Sequence, residues 1–133
     1  MKTHAFRLHR GDDLRFSLES YVTEHHLRAA VLLSCVGCVS RARLRDASGM
    51  NIQSIDEECE IVSATGTLCE ERLHIHVSLS REDMSTIGGH LVTGCIINTT
   101  AEIVLLELDN VQFGTAYDPA TGYNELTISA LER

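Results

Sequence analysis

The sequence predicts an α+β fold, a mostly antiparallel β-sheet with one N-terminal amphipathic helix. Three observations carry that prediction. Helical spacing is clear in one stretch only, where Leu14, Leu18, Tyr21 and Val22 fall at i, i+4, i+7 and i+8. Elsewhere a period of two prevails, most strictly in Leu73-His74-Ile75-His76-Val77-Ser78-Leu79, whose apolar and polar residues take opposite faces of a strand. Turn-forming residues recur between the runs, at Ser48-Gly49, Asp109-Asn110, Asp118-Pro119 and Thr121-Gly122. One early helix followed by many short strands is the pattern of an α+β domain with antiparallel pairing.

Taken in order, the first strand is expected over residues 3–9. Gly11-Asp12-Asp13 then supplies a turn and an acidic helix start, and the helix runs to about Leu27. Strands follow over 29–36 and 39–45, with Gly37 at a turn between them, and over 59–64, 66–70, 73–80, 94–98, 102–108 and 126–131. Gly88-Gly89 reads as a pair at which the backbone bends freely. One helix covers only part of so many strands. Apolar runs such as Ile103-Val104-Leu105-Leu106 therefore call for a second covering surface, and another copy of the chain is expected to supply it.

At 133 residues the chain is expected to be one domain, 1–133, with 44% hydrophobic and 23% charged residues, ordinary values for a globular protein. The longest apolar run, residues 29–33, is too short to span a bilayer, and the first residues hold no signal-peptide core. A cytoplasmic protein without membrane contact is expected. The net charge of −8 argues against tight DNA binding, because phosphate neutralisation supplies most of that affinity. Arg41, Arg43 and Arg45 form the densest basic cluster, on one strand face opposite Ala42 and Leu44, and read as solvated or ion-paired. Any DNA binding should be weak and nearly independent of sequence. The five cysteines, Cys35, Cys38, Cys59, Cys69 and Cys95, form neither a disulfide framework nor a zinc ribbon. Cys35 and Cys38 lack the helix N-terminus that activates a redox pair, and all five read as small, reduced, buried hydrophobes.

The chemistry-bearing residues are three histidines. Residues i and i+2 of a strand stand on one side about 6.5–7 Å apart, so His74 and His76 can aim both imidazoles at one point. His90 follows the double glycine, which can deliver a third. Strand-borne His pairs often bind nothing. Three neutral imidazoles with an open fourth position, however, are a common way to hold Zn²⁺ or another divalent transition metal. Binding would leave a position for water or a small-molecule carboxylate, and occupancy should fall as the pH drops through the imidazole range near 6–6.5.

Several segments together resemble the PPC domain (plants and prokaryotes conserved, also called PCC). They are residues 7–14 (Arg-Leu-His-Arg-Gly-Asp-Asp-Leu), 60–68 from Glu60 to Leu68, His74 to Ser80, Gly88-Gly89-His90-Leu91-Val92-Thr93-Gly94, and Thr100-Ala101-Glu102-Ile103. The resemblance covers nearly the whole chain, in order. It implies a homotrimer and the DNA-binding label that stand-alone prokaryotic members commonly carry, though the chain has no Arg-Gly-Arg-Pro hook. The fold also looks similar to that of acetolactate decarboxylase, whose metal is held by a His-X-His strand plus a later His. His74, His76 and His90 match that pattern in type and order. Two functions follow: a DNA-binding or assembly module carrying a metal site, or a metal-dependent enzyme, decarboxylase- or hydrolase-like, acting on a small carboxylate or carbonyl compound. For the latter, Arg72 and Arg81 are candidate cations and Glu60 and Glu102 candidate acids, with no role assigned.

Overall fold

A computed structural model describes residues 1–131 and has the expected class, one helix and an all-antiparallel set of strands. β1 (Lys2–His9) leads to α1 (Leu14–Glu24), then β2 (Ala30–Arg45), β3 (Ile52–Ile55), β4 (Cys59–Cys69), β5 (Arg72–Ser80), β6 (Thr86–Leu91) and β7 (Ile96–Glu107). A final hairpin, β8 (Val111–Asp118) and β9 (Tyr123–Ala130), forms a separate two-stranded sheet. The main sheet runs β1-β7-β2-β4-β5-β6, with β3 on the far end of β2. The end of β2 also pairs with β6, Leu44 opposite Leu91 and Arg45 opposite His90. Strands β2, β4, β5 and β6 therefore close into a ring.

Asp13 starts α1. One carboxylate oxygen accepts from the Phe16 N–H at 3.0 Å and the other from the Gly94 N–H at 2.7 Å, so the cap also ties the helix to the turn before β7. Leu14, Leu18 and Val22 are buried, the stripe that the spacing predicts. The helix ends at Glu24 rather than near Leu27. His26 turns left-handed (φ 51°), and the Leu27 N–H reaches back to the Val22 carbonyl, closing the end without the usual glycine. These helix residues share one continuous core with Ile75 and Leu79 of β5, Leu91 of β6 and Ile97, Ile103 and Leu105 of β7. A smaller cluster, Ala29, Cys69 and Phe113, seats the hairpin.

The structure joins several runs that were read as separate strands. Gly37 is no turn: β2 continues straight through it, shifting register against β7 on either side. A Cβ there would lie 2.0 Å from the Thr100 carbonyl oxygen, so glycine marks a close approach of two strands. Residues 59–69 form one strand that stops before Glu70, residues 96–107 form another, and β3, β6 and β8 lie where the sequence pattern marks no strand. All five cysteines are free. Cys35, Cys59, Cys69 and Cys95 are buried, while Cys38 is half-buried with its Sγ 2.9 Å from Thr99 Oγ1. Burial pushes the Cys35 thiol up to about 12 and that of Cys95 up to about 11. Leu33 and Val36 on β2 and Val62 on neighbouring β4 are each more than half exposed, so apolar sheet surface is left uncovered within the chain.

Candidate metal centre

Alternation along β5 buries Leu73, Ile75, Val77 and Leu79 and turns His74 and His76 to the other face. β6 runs antiparallel beside it, with His90 directly opposite His76. Opposed residues of paired strands project from the same face, so the ladder itself, not a flexible bend, brings the third imidazole to the first two. Gly88 and Gly89 are strand residues. Their need for glycine is steric: a Cβ would lie 2.5 Å from the Val77 carbonyl oxygen at Gly88 and 2.7 Å from that of Arg45 at Gly89. The strand neighbours on both sides of β6 are thereby drawn in close.

His74 Nε2 and His76 Nε2 lie 3.2 Å apart, and one ligand nitrogen from each of the three rings lies within 4.8 Å of the others. Tetrahedral ligation with bonds near 2.0–2.1 Å places nitrogens on the order of 3.3 Å apart. The His74–His76 pair already has that spacing, and the widest separation closes by rotation of a ring. Among the described residues, His90 Nδ1 is buried with no hydrogen-bond partner, an orphaned acceptor or donor of the kind that folded proteins rarely leave. Burial first, then the nearby Arg45 and His74, push the His90 imidazole down to about 4. Burial, then Arg72 and His76, lower that of His74. Both rings are therefore neutral at physiological pH with lone pairs to offer. The donor set fits a divalent transition metal.

Around the histidines is a cleft of about 830 Å³ whose walls include Arg45, Arg72, Ser48, Tyr123 and Glu125. Arg72 Nη2 donates to His74 Nδ1 at 3.2 Å, which places the ring proton of that histidine on Nε2. Arg15, on α1, donates to the carbonyls of Leu73 (3.2 Å) and Leu91 (3.1 Å), the residues beside His74 and His90, and so ties β5 to β6 from the helix side. Of the candidate acids and cations, only Arg72 is at the site. Arg81 pairs with Glu57, while Glu60 and Glu102 are exposed on β4 and β7. Arg45 belongs to the arginine cluster noted in the sequence, yet it lines the cleft while Arg41 and Arg43 are exposed. Tyr123 and Glu125 carried no signal, because nothing in their local pattern indicates that β9 returns to the histidines.

The profile of the Plants and Prokaryotes Conserved (PCC) domain matches residues 1–109. The bifunctional protein GlmU of Synechococcus sp. (strain JA-2-3B'a(2-13)) is 41% identical over 128 residues, 96% of this chain but 20% of that protein, so the chain spans about a fifth of such relatives. Among solved structures, a hypothetical protein of Salmonella cholerae-suis is 32% identical with a TM-score of 0.94, covering 97% of this chain and 94% of the other. A metal-containing protein of Archaeoglobus fulgidus is 27% identical with a TM-score of 0.79, covering 96% and 94%. The fold alone is shared with a Bacteroides thetaiotaomicron protein named as a DNA-binding candidate, at 21% identity and a TM-score of 0.84 over 94% and 91%.

Proposed function

Since the chain belongs to the Plants and Prokaryotes Conserved (PCC) domain family, we propose that it is a metal-holding member of that family. His74, His76 and His90 are the ligands of one divalent transition-metal ion, zinc first. The observation that carries this reading is the convergence of three imidazoles, one with a buried nitrogen that has no partner among the described residues. The metal-containing Archaeoglobus relative supports it. A bound ion of this kind supplies Lewis acidity at the floor of the cleft. This chain's residues then set what can approach: Arg45 and Arg72 bring positive charge, Glu125 offers a carboxylate, and the hydroxyls of Tyr123 and Ser48 belong to the same walls. That cleft favours chemistry on a small carboxylate or carbonyl compound as the second reading.

Protein purified without a histidine tag and loaded with zinc is expected to hold one ion per chain by elemental analysis. A chain that retains none at pH 7.5 refutes the proposal. Protons compete for the same nitrogens, and the lowered pKa values of His74 and His90 leave fewer protons to displace. Zinc should accordingly stay bound through about pH 6.5, where a free imidazole is half protonated, and leave as the pH falls towards 4. In the metal-free protein the same depression has a stability consequence. The unfolded chain takes up a proton that native His90 refuses, so stability present above about pH 6.5 is lost as the pH falls towards 4.

Assembly as a homotrimer is part of the proposal, supported by the exposed Leu33, Val36 and Val62 on adjacent strands. Light scattering at micromolar concentration is expected to give three times the chain mass, and a monomer mass refutes it. DNA binding, the role in the name of the Bacteroides neighbour, has less support. The net charge is −8, and the stem of Arg43 packs against Gly94 rather than extending freely.

A further inference from the structure

We propose that Arg45 and Arg72 form a seat for the carboxylate of a small anion, and that a metal on His74 turns Arg72 from that histidine to the anion. The proposal rests on the metal-centre reading and adds the ligand class and its coupling to the metal. Its first support is that, among the described residues, both guanidinium groups lack a carboxylate partner. Arg15 pairs with Glu19 and Arg81 with Glu57, in a chain with 19 acidic and 11 basic residues. Among the described residues, Arg45 by contrast has a buried Nε with no hydrogen-bond partner, and the side-chain hydrogen bond of Arg72 goes to the His74 ring. Both line the cleft that holds the three histidines, and its volume suits a small ligand.

The second support is the hydrogen-bond chemistry of His74. Arginine only donates, so Nδ1 accepts and the proton sits on Nε2, the nitrogen that faces His76. Were Nε2 to ligate a metal, the neutral ring would carry its proton on Nδ1 instead. Two donors then face each other, and the guanidinium must turn away. Its planar fork matches a carboxylate, which it holds through paired charge-assisted hydrogen bonds. Charge balance points the same way. With a dication bound, two guanidinium groups and the metal outweigh Asp46 and Glu125 by two charges, an excess that an anion offsets.

The test uses glycolate, followed by calorimetry on the whole chain with and without zinc. Glycolate is expected to bind the zinc-loaded protein at least about tenfold more tightly than the zinc-free protein, and by reciprocity to tighten zinc by the same factor. Arg45→Gln and Arg72→Gln should each weaken glycolate about 10- to 100-fold while zinc stays at one per chain. If both variants bind zinc and glycolate as the wild type does, the seat is wrong and the metal centre stands. Glycolate affinity that is equal with and without zinc overturns the coupling. Failure of the wild type to hold zinc removes the metal centre and the proposal together.

Discussion

The double variant His74→Ala, His76→Ala is expected to bind no zinc and to unfold close to the temperature of the metal-free wild type. Both side chains stand on the cleft face of β5, His76 exposed and His74 half-buried. The residues that hold β5 in the core, Leu73, Ile75, Val77 and Leu79, point the other way and are untouched. Substitutions away from core and caps usually change stability by no more than about 0.5 kcal/mol. His90 alone cannot retain a metal that three nitrogens were built to share. Elemental analysis after zinc loading and thermal unfolding of both proteins without metal give the two readouts. Zinc uptake equal to that of the wild type places the site elsewhere, and a collapse of the unfolding temperature makes the histidines structural.

Gly37→Ala should cost about 3 kcal/mol or more, at the upper end of overpacking effects and a large part of the roughly 5–15 kcal/mol that holds a domain together. The backbone at Gly37 is not left-handed, so the cost lies in space, not in conformation. A Cβ would lie 2.0 Å from the Thr100 oxygen and 2.7 Å from Ala101 Cα, both backbone atoms that no rotamer change can move. β2 and β7 must separate at the centre of the sheet, where Gly37 pairs with Ala101 on one side and Ile61 on the other. A urea titration reads the loss directly. An unchanged midpoint means that the two strands are not packed as closely as described.

The class of the fold, the helix stripe and the strand bearing His74 and His76 were legible because each follows from the period of its own side chains. What stayed hidden depends on partners distant in sequence. Gly37 was read as a turn because an isolated glycine between apolar runs has the same appearance whether the chain reverses or another strand presses against it. Gly88-Gly89 misled in the same way: their spacing from His90 was informative, but the reason for glycine was crowding by Arg45 and Val77. The short strands β3 and β6 have no strict alternation, and pairing with β2 and β5 makes them strands. Arg45 was visible only as one of three alternating arginines. That it alone enters the cleft follows from its pairing opposite His90 at the closure of the ring.

That closure also bears on how the protein folds. All three histidines can come together within the consecutive β5–β6 hairpin, but Arg45 reaches its place opposite His90 only when β2, far earlier in the chain, meets β6. Contacts of such long sequence separation are slow to form and carry the entropy of the loop between them. Arg45 therefore joins the cleft with the closing constraint on the sheet, after a hairpin that already carries all three imidazoles. A partly folded chain would show the histidines without the Arg45 wall of the cleft. The complete cleft is in this sense a report that the ring has shut.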